Sequence, residues 1–544
     1  MRPIPELAEA LGLPQDLLHP YGSFAAKLDP ALLHRERTRP GTARLLLVSA
    51  ITPTPAGEGK TTTTIGLGDA LSRLGESVCL ALREPSLGPC FGMKGGGTGG
   101  GKAQLTPSER INLHFTGDFH AITSAHNLLA AALDSHLHFG NELELETRTI
   151  AWPRVMDMND RALRHVTLGL GGKPHGVPRE GAFDITAASE LMAILCLAED
   201  EADLRERIDR IVVGLNRSGE AVRASQLGVT GSMMALLNDA HMPNLAQTLE
   251  GTPALVHGGP FANIAHGCNS LVATRSALHL ADWVVTEAGF GFDLGAEKFF
   301  DIKCRLAGLE TAAVVLVASV RALKMHGGVA VANLGPEDPE AVQRGLANLE
   351  QHVESIGRFG QRPIIAVNRF PTDTEAELSV VTAFCEEHGL PCAIASHFSD
   401  GGEGALELAK IVRREAADGN GPVHHLYELT DSVPDKVRKV AQGVYGARDV
   451  AFTKSAERDL REIERLGFAE LPVCIAKTQN SLSDDPKLHG RPRDFEVTVR
   501  QVQVNAGAGF LVVLTGDILR MPGLPRSPQA QRIDVEDGQI VGLR

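Results

Sequence analysis

The chain has 544 residues, of which 43% are hydrophobic and 22% are charged, and its formal net charge at pH 7 is −14. This length exceeds one comfortable hydrophobic core, so we expect roughly two to four domains. The ordinary composition excludes disordered and fibrous proteins. The acidity argues against a general nucleic-acid binder, because such proteins carry an excess of Lys and Arg.

Targeting signals and cysteine spacing further restrict the kind of protein that this chain can be. No apolar run approaches the roughly 20 residues that span a bilayer, and the N-terminus has Pro and Glu where a signal peptide needs an apolar core. The eight cysteines are scattered without a C-x-x-C pair, which is typical of reduced thiols in a protein core. We therefore expect a cytoplasmic protein that binds neither membrane nor nucleic acid.

Apolar runs alternate with helical patterns along most of the chain. Because the runs are continuous rather than alternating, we expect parallel strands that helices cover on both faces. This alternation predicts an α/β fold with right-handed crossovers. The helical patterns are most extensive over residues 189–215 and 375–389. The predicted buried strands are 44–51, 77–82, 281–288, 312–319 and 362–370.

Shifts in this pattern suggest three domains. We predict a large domain over residues 1–350 that has a mostly parallel sheet and, because of the Gly-Lys-Thr at residues 59–61, resembles P-loop NTPases. Two smaller α/β domains follow over 351–455 and 456–544, and the last contains further strands around a glycine turn near residue 507.

The segment 48–75 has the strand, loop and helix order that a phosphate loop requires. Its Gly-Lys-Thr fits the motif G-x-x-x-x-G-K-[ST], but Thr54 stands at the first glycine. Loop amides and the helix dipole would converge on an anion, Lys60 would reach the outer phosphates, and Thr61 could bind Mg²⁺. The alternative is an ordinary strand-to-helix turn with a chance Gly-Lys-Thr. The predicted nucleotide contacts are Thr54, Pro55, Ala56, Gly57, Glu58, Gly59, Lys60, Thr61 and Thr62.

Arg83 follows the next predicted strand, at the edge where open α/β sheets bind ligands. Its guanidinium could grip a carboxylate or an acyl phosphate. The alternative is a structural arginine paired with Glu84 or another acid. Downstream, seven of the ten residues over 92–101, the glycine tract, are glycine. This density indicates that main chain closely approaches a ligand or another backbone there.

Long motifs spread over the chain closely resemble the formate–tetrahydrofolate ligase family. They are rare strings, and together they cover essentially the whole length. In this family the phosphate loop looks like T-P-x-G-E-G-K-[ST], so the threonine at position 54 is a family trait. The matching strings are TPAGEGKTT, REPSLGP, the tract GGG-x-GGG-x-AQ, NLHFTGDFHAI, VNRFPTDT, KTQNSLSDDP and GAGFLVVLTGDILRMPGLP.

The resemblance implies an ATP-dependent ligase that joins formate to tetrahydrofolate in one-carbon metabolism, releasing ADP and phosphate. It also implies a formyl phosphate intermediate, Mg²⁺, activation by K⁺ or NH₄⁺, and a homotetramer. In that mechanism a formate oxygen attacks the terminal phosphate of ATP, and Lys60 helps to neutralise the charge. Arg83 matches the family arginine that holds formyl phosphate, while Glu84 and Asp118 are predicted to support it.

Two phenylalanines are implied folate contacts. Phe370, beside Pro371, matches the family aromatic that stacks on the pterin. Phe398 stands where the family usually has tryptophan, and because phenylalanine offers less area and no indole N–H, we expect weaker but retained folate binding. Taken alone, each ring would more often belong to a core. Lys102 and Asn480 also replace family tyrosines, and the sequence leaves their effect open.

Three other functions compete with this one. A regulatory or assembly NTPase related to the nitrogenase iron protein would carry a second lysine early in its loop, which this chain lacks. A GTP-binding switch would read guanine with N-K-x-D, and Arg369 and the Asp spacing do not fit. A noncatalytic folate-binding scaffold is disfavoured by the intact Lys60, Thr61 and Arg83.

Overall fold

A 12-stranded sheet forms the centre of the computed structural model, which describes residues 1–37, 39, 41–93 and 96–543. The fold is mixed α/β, as the alternating pattern predicts. The strands are β1 (Leu18–Tyr21), β2 (Ala25–Leu28), β3 (Arg44–Ala50), β4 (Val78–Leu82), β5 (Gly99–Gly100), β6 (Ala103–Thr106), β7 (Asn244–Thr248), β8 (Pro253–Val256), β9 (Trp283–Glu287), β10 (Ala313–Ala318), β11 (Pro363–Asn368) and β12 (Cys392–Ala395).

The larger part of this sheet is parallel. The order is β1-β2-β7-β8-β4-β9-β3-β10-β11-β12, with β6 paired to β7 and β5 to β6. Neighbours from β8 through to β12 run parallel, whereas β1, β2 and β7 pair antiparallel. The strands predicted from continuous apolar runs correspond to β3, β4, β9, β10 and β11. The expectation of a mostly parallel sheet is therefore confirmed.

Helices cover both faces of the sheet. Those that position the site are α1 (Lys60–Arg73), α2 (Asp118–His138), α3 (Val320–His326), α4 (Pro339–Arg358), α5 (Glu375–Glu387) and α6 (Leu406–Asp418). The other α-helices are Ile4–Ala10, Leu87–Phe91, Ser108–Asn112, Glu190–Leu197, Glu201–Arg210, Thr230–Leu237, Leu271–Leu280, Arg305–Ala307, His397–Asp400, Val433–Val440 and Lys454–Arg465. Within the described residues, no helix is both long and apolar enough to cross a membrane.

The prediction of one long helix over 189–215 is wrong. The chain leaves the first helix at Ala198, which is extended, and Asp200 caps a second helix by accepting a hydrogen bond from Asp203 N at 2.8 Å. Such a capping residue begins a new helix, so the helical periodicity is interrupted. The β-branched residues that follow form the strand Val212–Leu215, which pairs antiparallel with Ala221–Arg223.

A second sheet lies near the C-terminus. It consists of β13 (Asp449–Phe452), β14 (Val473–Ala476), β15 (Glu496–Asn505) and β16 (Phe510–Thr515), in the order β13-β15-β16-β14. The antiparallel pair β15–β16 is the one expected around the glycine turn. The remaining small pairs are Arg154–Met156 with Phe183–Ile185, Val166–Leu168 with Arg179–Gly181, and Asp534–Glu536 with Gln539–Val541. The large sheet continues through β11 and β12, and the domain boundaries near 350 and 455 stay predictions.

The two faces of β3 belong to different hydrophobic cores, because successive side chains of a strand point to opposite sides. Leu46 and Val48 pack in the core that also contains residues of α1 and α6. Leu45 and Leu47 pack in the core that contains residues of α3 and α4. With both faces buried, the strand is held rigidly, and the loop at its carboxyl end is held with it.

Candidate active site

The loops at one edge of the sheet bring together residues from distant parts of the chain. Parallel strands end at the same edge, which in open α/β folds is where ligands bind. Following the strand order β4-β9-β3-β10-β11-β12, the residues at or just beyond the carboxyl ends are Arg83, Glu287, the loop 51–59, Ser319, Asn368 and Phe398. The sheet order therefore sets which of these side chains are neighbours.

The loop 51–59, called the β3–α1 loop below, ends in two glycines with positive φ. Gly57 and Gly59 have φ angles of 80° and 75°, a region that other residues rarely adopt. A Cβ atom on Gly59 would also collide with the amide of Asn368. That amide donates a hydrogen bond to the Glu58 carbonyl oxygen at 3.0 Å. The helix α1 begins at the next residue, Lys60, as predicted from the sequence.

Glu58 supports the loop from inside. Its carboxylate accepts a hydrogen bond from Thr54 N at 2.7 Å and another from the Ser319 hydroxyl, and the residue is buried. This side chain therefore stabilises the turn at Thr54, the position where the motif has a glycine. The predicted nucleotide contact at Glu58 stays a prediction. Because the carboxylate supports the loop, such a contact would use the main chain of Glu58.

Glu287, the last residue of β9, joins two predicted catalytic regions. Thr61 Oγ1 donates to Glu287 Oε2 at 2.7 Å, and Arg83 Nη2 lies 3.5 Å from Glu287 Oε1. Arg83 also donates to the carbonyl oxygen of Pro260 at 3.2 Å. The acid that pairs with Arg83 is thus Glu287 rather than Glu84, and the pair places the guanidinium beside the start of α1.

The position of Glu287 at this site was not predicted from the sequence, although a signal was present. An apolar strand that ends in an acid, here W-V-V-T-E, is where P-loop enzymes place the carboxylate that holds Mg²⁺. The hydroxyl of Thr61 and the carboxylate of Glu287 are both hard oxygen donors, which suit Mg²⁺ together with phosphate oxygens. Among the described residues, no group of three or more His, Cys, Asp or Glu side chains could hold a metal without such help.

Two neighbouring cavities meet at Lys60. The smaller has a volume of about 300 Å³ and is lined by residues that include Thr61, Arg83, Glu84 and Glu287. The larger has a volume of about 930 Å³ and extends towards C-terminal loops. Residues that line both include Gly57, Lys60, Pro89, Phe261 and Phe290. The far side of the larger cavity includes Asn480, Asp484, Pro486, Ile518 and Gly523.

Glu84 and Asp118 lie in one buried group of ionisable side chains with Lys27, which was not predicted from the sequence. Lys27 Nζ lies 2.5 Å from Asp118 Oδ1, and Asn244 Nδ2 donates to Asp118 Oδ2 at 2.7 Å. Burial, and then the negative charge of Asp118, raise the pKa of the Glu84 carboxyl well above its ordinary value. This environment favours the neutral form of the Glu84 carboxyl, which lines the smaller cavity.

Phe370 lies on the other side of the β3–α1 loop. Its ring is half-buried, and the guanidinium carbon of Arg321 lies 4.4 Å from the ring centroid. Its backbone N–H donates to Asp373 Oδ2 at 2.8 Å, which fixes the turn in which Pro371 is exposed. The structure thus places this predicted folate contact near the loop, two residues beyond Asn368.

Phe398 is 50% exposed and rests on the glycine tract. Its carbonyl oxygen accepts a hydrogen bond from Lys102 N at 2.9 Å, and a Cβ atom on Gly101, whose φ is 60°, would collide with that oxygen. The preceding His397 is buried against α1, where Thr63 Oγ1 lies 3.2 Å from Nε2, and burial lowers the pKa of the imidazole to about 4. The tract therefore supports an aromatic ring by close backbone approach. Lys94 and Gly95 of the tract lie outside the described residues.

Comparison with known proteins gives one consistent family. The family model described as "Formate--tetrahydrofolate ligase" matches residues 1–544. A relative of that name from Zymomonas mobilis subsp. mobilis is 55% identical over 548 residues, covering 100% of this chain and 98% of the relative. A second relative of the same name, from Maricaulis maris, is 55% identical over 544 residues with the same coverage.

Proposed function

The chain belongs to the formate–tetrahydrofolate ligase family, and we propose that it joins formate to tetrahydrofolate with ATP, giving 10-formyltetrahydrofolate, ADP and phosphate. One observation supports this reaction most directly. Thr61, Glu287 and Arg83 form a continuous set of contacts that brings the start of α1 and a guanidinium to the same cavity of about 300 Å³.

We propose that the β3–α1 loop is a phosphate loop. Its amides, the N-terminus of α1 and Lys60 would hold the β- and γ-phosphates of ATP, since helix N-termini and loop amides favour anions. The nucleoside would then occupy the larger cavity, which begins at Gly57 and Lys60 and offers the aromatic ring of Phe290. This placement leaves the smaller cavity for the transferred phosphoryl group and formate.

Mg²⁺ fits the oxygen pair formed by Thr61 and Glu287, and when bound it would neutralise phosphate charge. Glu287 also restricts the guanidinium of Arg83, so one carboxylate positions both the Thr61 hydroxyl and the Arg83 guanidinium. This geometry supports catalysis by positioning and charge neutralisation, on which phosphoryl transfer mostly depends.

We propose that formyl phosphate forms in the smaller cavity. A formate oxygen attacks the γ-phosphorus of ATP, its new P–O bond forms as the bond to ADP breaks, and Lys60 and Arg83 stabilise the charge that develops. The N10 amine of tetrahydrofolate then attacks the formyl carbon, phosphate leaves, and the amine loses its proton. Arg83 would hold the acyl phosphate with two N–H groups, as guanidinium does for planar oxyanions.

We propose that tetrahydrofolate binds near Phe370, Pro371 and Phe398. Both rings are partly exposed, and they lie at or beyond the ends of adjacent strands, β11 and β12. A flat pterin could stack on such rings. Further expectations come from the family resemblance alone and stay predictions: activation by K⁺ or NH₄⁺, a homotetramer and a cytoplasmic location.

The direct test is ADP release by the purified protein with ATP, Mg²⁺ and tetrahydrofolate, with and without formate. We expect release only when formate is present. With ¹⁸O-labelled formate, one labelled oxygen should appear in the released phosphate, because the attacking oxygen stays on phosphorus. ATP hydrolysis that is independent of formate and folate would instead support a regulatory NTPase, and unlabelled phosphate would contradict the formyl phosphate intermediate.

A further inference from the structure

Arg321, in the first turn of α3, contacts the β3–α1 loop and the proposed folate ring at the same time. Its Nη2 donates to the carbonyl oxygen of Gly57 at 2.6 Å. Its guanidinium carbon lies 4.4 Å from the centroid of the Phe370 ring, a cation–π distance. The side chain is half-buried, so these two contacts are made in a partly desolvated position.

The start of α3 is tied to the β3–α1 loop a second time. Ser319 caps the helix by accepting a hydrogen bond from Ala322 N at 3.1 Å, and its hydroxyl also contacts the Glu58 carboxylate. Asn368, two residues before Phe370, donates to the Glu58 carbonyl oxygen. The loop, the helix start and the end of β11 therefore support one another, and Arg321 is the side chain that reaches the ring.

The planar guanidinium is suited to this double contact. It can donate a hydrogen bond in its plane while its face lies on an aromatic ring, and a lysine ammonium cannot do both in the same way. With Arg321 over one face of Phe370, the other face is the one that a pterin could stack on. A nucleotide that fixes the β3–α1 loop would also fix the Gly57 carbonyl group. Through Arg321, it would then restrict the motion of the Phe370 ring.

We propose that Arg321 is a positioning residue that couples the phosphate loop to the Phe370 ring, so that nucleotide and tetrahydrofolate bind with reciprocal cooperativity. This inference rests on the proposed folate role of Phe370. Coupling of this kind needs no contact between the two ligands, because ordering by the first lowers the entropy cost of binding the second.

The test compares Arg321→Met, which keeps an apolar stem without charge, with the parent enzyme. We expect the KM for tetrahydrofolate to rise about three- to tenfold, the range that loss of a partly buried cation–π contact gives. The affinity for a non-hydrolysable ATP analogue in the absence of tetrahydrofolate should change less than about twofold, because the loop amides and Lys60 are untouched. In equilibrium titrations, the effect of this analogue on tetrahydrofolate affinity should fall towards none. An unchanged KM for tetrahydrofolate, or an undiminished effect of the analogue on tetrahydrofolate affinity, would overturn the proposal.

Two further variants separate a coupling role from a merely structural one. Arg344→Met is the matched control, since Arg344 Nε donates to the carbonyl oxygen of Gly327 at 2.9 Å on the exposed side of the same helix pair. It should leave the tetrahydrofolate KM unchanged. Arg321→Lys keeps the charge and the stem, so it tests the proposal even if the methionine variant fails to fold. We expect it to show the same selective rise in KM, and a parent-like KM would refute the need for a planar cation.

Phe370→Leu distinguishes this inference from the proposed function. If it raises the tetrahydrofolate KM and Arg321→Met does not, the folate site stands and the coupling role of Arg321 is wrong. If Phe370→Leu has no effect, the folate site itself is wrong, and the inference fails with it. In the double variant, the two effects should be less than additive, as expected for residues that act through one contact.

Discussion

The two sides of the β3–α1 loop differ in how they hold their side chains. Towards β9 and β4, Thr61, Glu287 and Arg83 are fixed by charges and hydrogen bonds, and Glu287 is only 3% exposed. Towards β11 and β12, Phe370 and Phe398 are partly exposed and are supported by a guanidinium and by main chain. One side is therefore built from preorganised charge and the other from accessible ring surface.

This difference follows from what each side is proposed to do. Phosphoryl transfer is accelerated by charges that are already in place, so reorganisation during the reaction is avoided. A pterin needs a flat apolar surface that admits a large substrate and releases a large product. The comparison predicts that substitutions on the charged side lower kcat, whereas substitutions on the aromatic side raise the KM for tetrahydrofolate.

The largest expected effect is that of Lys60→Ala. Because Lys60 begins α1 and lines both cavities, its loss should lower kcat by about a thousandfold or more in both directions. The forward rate is measured as ADP formation and the reverse rate as ATP formation from ADP, phosphate and 10-formyltetrahydrofolate. Lys410→Ala, which removes an exposed lysine of α6 paired with Glu407, is the control. A variant that keeps the parent rate in either direction would show that Lys60 does not bind the transferred phosphate.

Arg83→Ala should have the next largest effect. Loss of the guanidinium should lower formate-dependent ADP formation by about a hundred- to a thousandfold, the range seen when one stabilising donor is removed. ATP binding, measured by titration calorimetry, should be largely kept, because the loop and Lys60 are untouched. Loss of ATP binding without any defect specific to formate would refute the role that we assign to Arg83.

Whether a contact at this site can be predicted from the sequence depends on how far apart its residues lie along the chain. The β3–α1 loop and α1 were predicted because strand, glycines and helix are local features. The pairing of Arg83 with Glu287 was not, since it joins residues more than two hundred positions apart and depends on β9 lying between β4 and β3. Strand order is not encoded in hydrophobic periodicity.

Two other residues at this site depend on contacts that are distant along the chain. Lys27 reaches Asp118 from the antiparallel end of the sheet, and Arg321 reaches Phe370 from a helix after a different strand. Nothing in the neighbouring sequence distinguishes Lys27 or Arg321 from other basic residues of the chain. The motif resemblance named Arg83 and Phe370 without showing which side chains hold them, and only the packed fold reveals those partners.

Glu287→Gln tests whether the charge of this side chain matters beyond its shape. The amide oxygen can still accept the Thr61 hydrogen bond, but the negative charge beside Arg83 and the proposed Mg²⁺ position is lost. We expect kcat to fall about ten- to a hundredfold, together with a higher Mg²⁺ concentration for half-maximal rate. The same replacement at Glu84 should be milder, because burial and the charge of Asp118 raise the pKa of that carboxyl and so favour its neutral form. If both variants behave alike, the charge of Glu287 has no special role.

Phe398→Trp, on the aromatic side, should change the kinetics less than the other substitutions. The ring is 50% exposed and rests on Gly100 and Gly101, so a larger indole can extend into solvent and offer more stacking area. We expect the KM for tetrahydrofolate to fall about two- to fivefold, with kcat and the KM for ATP unchanged. Phe139→Trp, at an exposed phenylalanine at the end of α2, controls for adding an indole. An unchanged or higher KM would mean that this ring does not stack on the pterin.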